Sequence, residues 1–280
     1  MSKARIHAPH MDVEHNAKVS FYPDGRHKLL VASKPIFKEE GWEKPEFREK
    51  VPKPKNMGGE VRMDNVRRAQ QTVFDISRLN SFDYFITWTL DKEKIDRYNP
   101  AEISKKLKKF LDHKVQRNDL KYLIIPEHHK DGAIHMHGLI SGDLEMVDSG
   151  TVIVKERKKP VRKELAEQMS WAALKTVYNM PQWTLGSSTA IELDGNVQAI
   201  SRYIAKYVSK EFRKIFGNFY YAGGHGLERK PPTQLYQIPY TELNEKEYTK
   251  FGTGYKYMEL GDYSTYDENA RALLERIGVL

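Results

Sequence analysis

The sequence contains no cysteine in its 280 residues. That absence excludes a disulfide scaffold, a zinc site built from thiolates and a cysteine nucleophile. The sequence also lacks any run of about 18 consecutive apolar residues, so we expect no membrane-spanning helix. The polar segment 1–16 lacks the apolar centre of a signal peptide. We therefore expect a soluble protein of the cytoplasm.

The composition predicts a folded protein with a polyanionic partner. Apolar residues make up 39% and aromatic residues 11% of the chain, which is enough to form a core. Lys and Arg total 46 against 38 Asp and Glu, giving a net charge of +8. A basic balance of this kind favours nucleic acid as the partner.

The chain divides by pattern into three regions. Residues 1–79 are interpreted as a basic N-terminal arm, with a hairpin around Pro23-Asp24-Gly25 and a helix near its end; a solvated linker is the alternative. Residues 80–215 carry the clearest periodicity and form the predicted catalytic domain. Residues 216–280 are a C-terminal accessory region, rich in tyrosine and lysine, that ends in a short helix at 267–277.

The central region predicts an α+β fold. The expected elements, in order, are a strand at 82–90, a helix from Asn99-Pro100, strands at 120–126 and 134–140, a second helix at 162–178, and a strand at 188–193. This order is the split βαβ pattern of ferredoxin-like and RRM-like folds. It gives an antiparallel sheet with helices on one face. A further helix at 196–212 follows the last strand.

Two histidines are candidate metal ligands. His135 and His137 flank Met136 in a strand, and residues two apart project from the same face. Paired imidazoles suit Zn, Mn, Co or Ni, and they tolerate Mg when carboxylates assist. Two ordinary polar residues are the alternative.

The preceding hairpin offers a third ligand. A three-residue loop at Lys130-Asp131-Gly132 would place Glu127 opposite His135 on the same face. A two-residue turn at Asp131-Gly132 would place His128 there instead. We prefer the carboxylate, because hard, exchangeable cations favour oxygen ligands.

The helix at 196–212 carries two tyrosines beside an apolar stripe. Tyr203 and Tyr207 are four residues apart and so share a face, with Lys206 and Lys210 in a parallel row. Hydroxyl groups flanked by ammonium groups are suited to a phosphate. Tyrosines at the rim of a core, with wet hydroxyls, are the alternative.

Together these segments resemble the HUH endonuclease superfamily, and specifically rolling-circle replication initiators (Rep proteins) of single-stranded DNA phages and plasmids that carry two tyrosines. The similarity lies in FITWTL at 85–90, in HMHGLI at 135–140, and in a Tyr-x-x-Lys pattern that occurs twice, at 203–206 and 207–210. It covers roughly residues 82–212. The tyrosines follow the histidines, as in Rep proteins, whereas in conjugative relaxases they precede them.

The resemblance implies a metal-dependent endonuclease that nicks and rejoins single-stranded origin DNA. Mg²⁺ or Mn²⁺ would be held by His135, His137 and Glu127. Tyr203 or Tyr207 would form a 5′-phosphotyrosine link, and Lys206 and Lys210 would position phosphate. The implied partners are origin DNA and the host's helicase and polymerase, in the cytoplasm of a cell that carries the phage, prophage or plasmid.

Three alternatives remain at this point. A transposase or mobilisation nuclease would share the chemistry, a non-cutting DNA-binding regulator would keep only the fold, and an RNA-binding module would share the strand order. The chain has no Walker A sequence, so we expect it to depend on a separate helicase. The flanking tyrosines and lysines either stack bases and neutralise phosphates or serve as packing and solvated surface.

Overall fold

The computed structural model describes residues 15–37, 62–157, 159–210, 214–242, 245–250, 252–261, 268–276 and 278. Contacts divide the chain into two compact units. One is Lys55–Lys230, and the other combines Met1–Pro54 with Pro231–Leu280. Residues 38–61 of the predicted arm and residues 211–212 of the predicted catalytic helix lie outside the described residues. The boundaries at 79/80 and 215/216 stay predictions.

Thirteen strands and five α-helices are defined in the described ranges. The strands are β1 Ala17–Ser20, β2 His27–Ala32, β3 Tyr84–Leu90, β4 Lys121–His128, β5 Ile134–Ser141, β6 Val147–Val154, β7 Val161–Arg162, β8 Ala173–Asn179, β9 Gly186–Glu192, β10 Tyr221–Gly223, β11 Thr233–Tyr236, β12 Tyr248–Lys250 and β13 Thr253–Leu260. The helices are α1 Met63–Leu79, α2 Pro100–Asn118, α3 Lys163–Gln168, α4 Val197–Lys210 and α5 Glu268–Arg276. Every helix in these ranges is too short or too polar to span a membrane.

The larger unit is built on an eight-stranded sheet. Its strands lie in the order β10-β4-β5-β3-β9-β8-β6-β7, and each neighbouring pair is antiparallel. The four strands β4, β5, β3 and β9 reproduce the spatial order of a split βαβ fold. The predicted α+β class and the antiparallel sheet are thus confirmed.

Helix α2 covers one face of this sheet. The Asn99 side chain accepts a hydrogen bond from the backbone N–H of Glu102, and Pro100 occupies the first turn, so the helix begins where predicted. Its apolar residues are fully or almost fully buried against alternate residues of β3 and β5. This core contains Ile103, Leu107, Leu111, Trp88, Met136 and Ile140.

Helices α1 and α4 pack on the opposite face, which carries the histidines. Val73 of α1 and Ile204 and Val208 of α4 share a buried cluster with Leu123 of β4 and Leu139 of β5. Since side chains alternate along a strand, Leu139 shares its face with His135 and His137. Helix α1, which the sequence analysis placed in the arm, therefore belongs to the same unit as the site.

The predicted second helix at 162–178 is wrong. The segment forms β7, the short helix α3 and the strand β8, and the unpredicted strand β6 precedes it. Helix α3 ends at Gln168, and Ser170 follows with a φ of 52°, which interrupts a helix. Thr176, Val177 and Tyr178 are β-branched or aromatic residues that favour a strand, and β8 pairs with β6 and β9.

The second unit contains a five-stranded antiparallel sheet in the order β11-β1-β2-β13-β12. The predicted hairpin is present as β1 and β2, and Gly25 in its turn has a φ of 72°. Val19, Leu29 and Val31 are fully buried in its core. The final helix is confirmed as α5, although residues 267 and 277 lie outside the described ranges.

Candidate functional site

The β4–β5 hairpin fixes which residue faces His135. The His129 N–H donates to the Ala133 carbonyl (2.7 Å) and the Gly132 N–H donates to the His129 carbonyl (2.8 Å). Gly132 has a φ of 83°, so the predicted three-residue loop is confirmed. In the resulting register Glu127 lies opposite His135, and His128 lies opposite Ile134. Glu127 therefore shares the face of the histidines, whereas His128 belongs to the other face.

Two threonines of β3 hold the histidine rings. Thr89 Oγ1 lies 3.3 Å from Nδ1 of His135, and Thr87 Oγ1 lies 3.1 Å from Nδ1 of His137. These contacts engage Nδ1 and leave Nε2 of each ring to face another ligand. A hydroxyl both donates and accepts, so it can satisfy either tautomer of the ring. Sequence reasoning did not assign these threonines a role, although their alternation in FITWTL places them on one face.

Glu127 connects the histidines to helix α4. Its Oε2 lies 3.0 Å from Nε2 of His137, and its Oε1 lies 3.0 Å from Nζ of Lys210. Partial burial raises the pKa of Glu127, but the hydrogen bonds from His137 and Lys210 outweigh it and hold that pKa below its usual value. The carboxylate is therefore ionised at neutral pH, as a cation ligand requires.

His135 is kept neutral by its surroundings. Burial is the largest cause that lowers the pKa of His135, followed by the nearby His129 and His137. The His129 ring stacks on the His135 ring with centroids 4.8 Å apart, and its Nδ1 lies 3.3 Å from Asp131 Oδ1. A neutral imidazole is the form that binds a metal ion.

The two tyrosines meet beside His137. Tyr207 is 6% exposed and Tyr203 is 50% exposed, and their hydroxyl oxygens lie 2.8 Å apart. The Tyr207 ring stacks on His137 with centroids 4.2 Å apart. Phe85 packs against His137, Tyr203 and Tyr207 at centroid distances of 6.2, 5.4 and 6.3 Å. Phe85 thus joins the histidine strand to the tyrosine helix, a role that its sequence position did not reveal.

The environment of Tyr207 favours the neutral phenol. Burial is the main cause that raises its pKa, and the hydrogen bond with Tyr203 and the charge of Glu127 add to it. Lys210 lies over the Tyr207 ring, with Nζ 4.1 Å from the centroid, and also pairs with Glu127. Lys206 is exposed on α4, one turn before Lys210.

The donor set fits a divalent cation. Among the described residues, no three His, Asp or Glu side chains converge as a ready-made metal cage. Glu127 and His137 are nevertheless in contact, and His135 lies opposite Glu127 in the strand register. The carboxylate already attracts a cation, since the Lys210 ammonium group rests on it. One carboxylate and two imidazoles anchored through Nδ1 form a chemically suitable set for such an ion.

Residues 83–212 match the family model of the replication-associated protein ORF2. The match spans a little under half of the chain, from β3 to the end of α4. It includes every residue predicted for the site, from Glu127 and the two histidines to Lys210. The comparisons with curated proteins and with solved structures returned no match.

The similarity to this family of replication-associated proteins supports the coarser part of the sequence interpretation. It is consistent with a replication initiator of the Rep type, and such a role suggests DNA binding. It is also compatible with an endonuclease. The cluster of Glu127, His137 and Tyr207 lies within the matched segment and provides the chemistry from which a more specific function can be argued.

Proposed function

We propose that the protein initiates rolling-circle replication by nicking and rejoining single-stranded origin DNA through a 5′-phosphotyrosine intermediate. The observation that carries this proposal is the contact of Tyr207 with His137, with the Tyr203 hydroxyl 2.8 Å from that of Tyr207. A nucleophile of DNA transesterification is thereby placed at a cluster of cation ligands. A DNA-binding regulator would need neither group.

Glu127, His135 and His137 would hold Mg²⁺ or Mn²⁺. When bound, the ion would polarise the scissile phosphate and offset the charge that develops on its oxygens. Thr87 and Thr89 fix the two rings through Nδ1, so that the remaining nitrogen of each ring is available to the ion.

The reaction is a transesterification that needs no oxidant or external energy source. A tyrosine oxygen forms a bond to phosphorus, the bond from phosphorus to the 3′ oxygen breaks, and the phenolic proton passes to solvent as the 3′ oxygen gains one. The DNA is left with a free 3′-hydroxyl and a 5′-phosphotyrosine link. Because one phosphodiester replaces another, the reverse attack by a 3′-hydroxyl rejoins the strand.

The structure suggests different parts for the two tyrosines. Tyr203 is half exposed and can reach a phosphate that approaches from solvent, whereas Tyr207 is buried behind it. We assign the first attack to Tyr203, with the Tyr207 hydroxyl donating a hydrogen bond to it. Tyr207 would act on the regenerated origin. Lys210, and Lys206 one turn away, would position the phosphate.

The replication role follows from the product of the nick. A free 3′-hydroxyl can prime a host polymerase, and a host helicase would separate the strands. A transposase or mobilisation nuclease would use the same chemistry on a different DNA. We propose the initiator because the matched family is one of replication-associated proteins.

The decisive experiment is a covalent-adduct assay. Labelled single-stranded DNA covering the origin region of the encoding element is incubated with protein and Mn²⁺, with and without a chelator, and run on a denaturing gel. A chelator-sensitive adduct that maps by mass spectrometry to Tyr203 or Tyr207 would support the proposal. Tyr248→Phe is the matched control, since Tyr248 is as exposed as Tyr203 (52%) but lies in the other unit. Intact DNA binding without an adduct would favour the non-cutting regulator.

A further inference from the structure

A cleft of about 340 Å³ opens at the β10 end of the large sheet. Its volume is at the lower end of the ~300–1,000 Å³ range of small-ligand sites, so it suits one small group. Two cationic and three aromatic side chains line it. They are Lys214, Arg229, Phe219, Tyr220 and Tyr221.

The cleft adjoins the strand that carries Glu127. Strand β10 pairs antiparallel with β4, with Tyr221 opposite Ile124. The chain that precedes Tyr221 therefore runs toward the Glu127 end of β4. Lys214 follows Lys210 by only four residues in the sequence. The cleft is thus beside the candidate site on the same sheet.

The two cations are placed for an anion. The Arg229 guanidinium donates to the Ala222 carbonyl (2.6 Å), which orients the group while leaving further N–H donors. Lys214 lies over the Phe219 ring, with Nζ 5.4 Å from its centroid, and its side chain is exposed. An anion that enters the cleft can be bound from two sides.

The aromatic residues differ in what they can offer. The Tyr221 hydroxyl is engaged by Ser104 (3.2 Å) and by the Phe216 carbonyl (3.2 Å), and its ring lies near Lys108. Tyr221 is thus a fixed wall. Phe219 and Tyr220 are partly exposed and present ring faces on which a planar base can stack.

Charge complementarity favours nucleic acid as the occupant. Basic and acidic residues balance in residues 1–54 and 231–280 taken together, so the whole net charge of +8 falls on Lys55–Lys230. Cations interleaved with aromatic rings are the features by which proteins hold single strands. A purely apolar ligand would not use Lys214 or Arg229.

We propose that this cleft binds one nucleotide of the single-stranded DNA substrate, close to the phosphate that is cut. The base stacks on Phe219 or Tyr220, and the flanking phosphates pair with Lys214 and Arg229. This inference rests on the proposed function for its choice of substrate. It adds a substrate-binding site to the tyrosine and histidine cluster and a direction for the strand, along the β10 end of the sheet.

The test measures DNA binding without cleavage. Fluorescence anisotropy of a labelled single-stranded origin oligonucleotide in the presence of chelator gives the affinity as a function of salt. For Lys214→Ala and Arg229→Ala we expect the slope of log K against log salt to become shallower by about 0.7 each. For Tyr220→Leu we expect an affinity loss of roughly 5- to 150-fold with an unchanged slope. Lys175→Ala, which removes a cation paired with Asp194 in the same unit, is the matched control.

The outcomes separate this proposal from the proposed function. Slopes for Lys214→Ala and Arg229→Ala equal to that of Lys175→Ala, with full affinity in Tyr220→Leu, would overturn the cleft even if the wild type forms the tyrosine adduct. Weakened binding in the cleft variants without an adduct in the wild type would support the cleft and contradict the nuclease. Because Lys214 is an exposed charge, its replacement tests the site without depending on a core change.

Discussion

The hydroxyl groups of Tyr203 and Tyr207 form one hydrogen bond of 2.8 Å, although one tyrosine is half exposed and the other is buried. Burial raises the pKa of Tyr207, so Tyr207 keeps its proton and is the natural donor in this pair. The Tyr203 oxygen is then the acceptor and faces solvent. Two residues that the sequence leaves equivalent are therefore inequivalent in the fold.

This inequivalence predicts the order of attack. Tyr203→Phe should abolish the early adduct. Tyr207→Phe should retain an adduct on Tyr203 but form it several-fold more slowly, since a typical hydrogen bond contributes about 0.5–1.5 kcal/mol. Single-turnover assays with peptide mapping of the adduct measure both effects. An undiminished early adduct on Tyr207 in the Tyr203→Phe variant would reverse the assignment.

The threonine contacts predict a loss of metal affinity that leaves the ligands themselves intact. Thr87→Val and Thr89→Val remove the groups that hold Nδ1 of His137 and His135. Loss of such supporting contacts typically costs about 10- to 100-fold in metal affinity or activity. Titration calorimetry with Mn²⁺ is the measurement. Thr189→Val is the control, because Thr189 is exposed and lies opposite Thr87 on β9; an equal loss there would show a general effect of the valine.

The histidine hairpin and the tyrosine helix could be predicted because their signals are local. The spacing of His135 and His137 fixes a shared face in any strand, and the Gly132 loop fixes the register that brings Glu127 opposite His135. The four-residue spacing of Tyr203 and Tyr207 likewise follows from helix geometry alone.

The remaining features depend on which elements become neighbours. The contacts of Thr87 and Thr89 require β3 to lie beside β5, and the role of Phe85 requires α4 to pack on the histidine face. No local pattern encodes either fact. The incorrect helix at 162–178 has the same cause, since pairing with β6 and β9 selected a strand for β8.

Gly138, next to His137, is predicted to be required by close strand packing. A Cβ at this position would lie 2.7 Å from the Leu123 carbonyl oxygen, which belongs to the backbone of β4 and has little freedom to move. Gly138→Ala should therefore lower the stability by about 1–3 kcal/mol. It should also weaken Mn²⁺ binding, because β4 carries Glu127. Thermal unfolding and calorimetry test this, and an unchanged melting temperature would contradict it.

Lys210 is predicted to compete with the metal ion for Glu127. Its ammonium group lies 3.0 Å from Oε1, and its side chain is 52% exposed. An ion pair of this exposure contributes about 0.2–1 kcal/mol, so Lys210→Ala should tighten Mn²⁺ binding by roughly 1.4- to 5-fold. The same variant should slow adduct formation, because a cation that would position the phosphate is lost.

Lys206→Ala separates the two effects of the lysine row. Lys206 is exposed on the same helix one turn earlier, so its replacement should slow the adduct while leaving Mn²⁺ affinity unchanged. Calorimetry on both variants beside single-turnover kinetics makes the comparison. Weaker Mn²⁺ binding in Lys210→Ala would mean that Lys210 supports the ligand geometry rather than competing with the ion. Glu127 would then depend on Lys210 for its orientation toward His137.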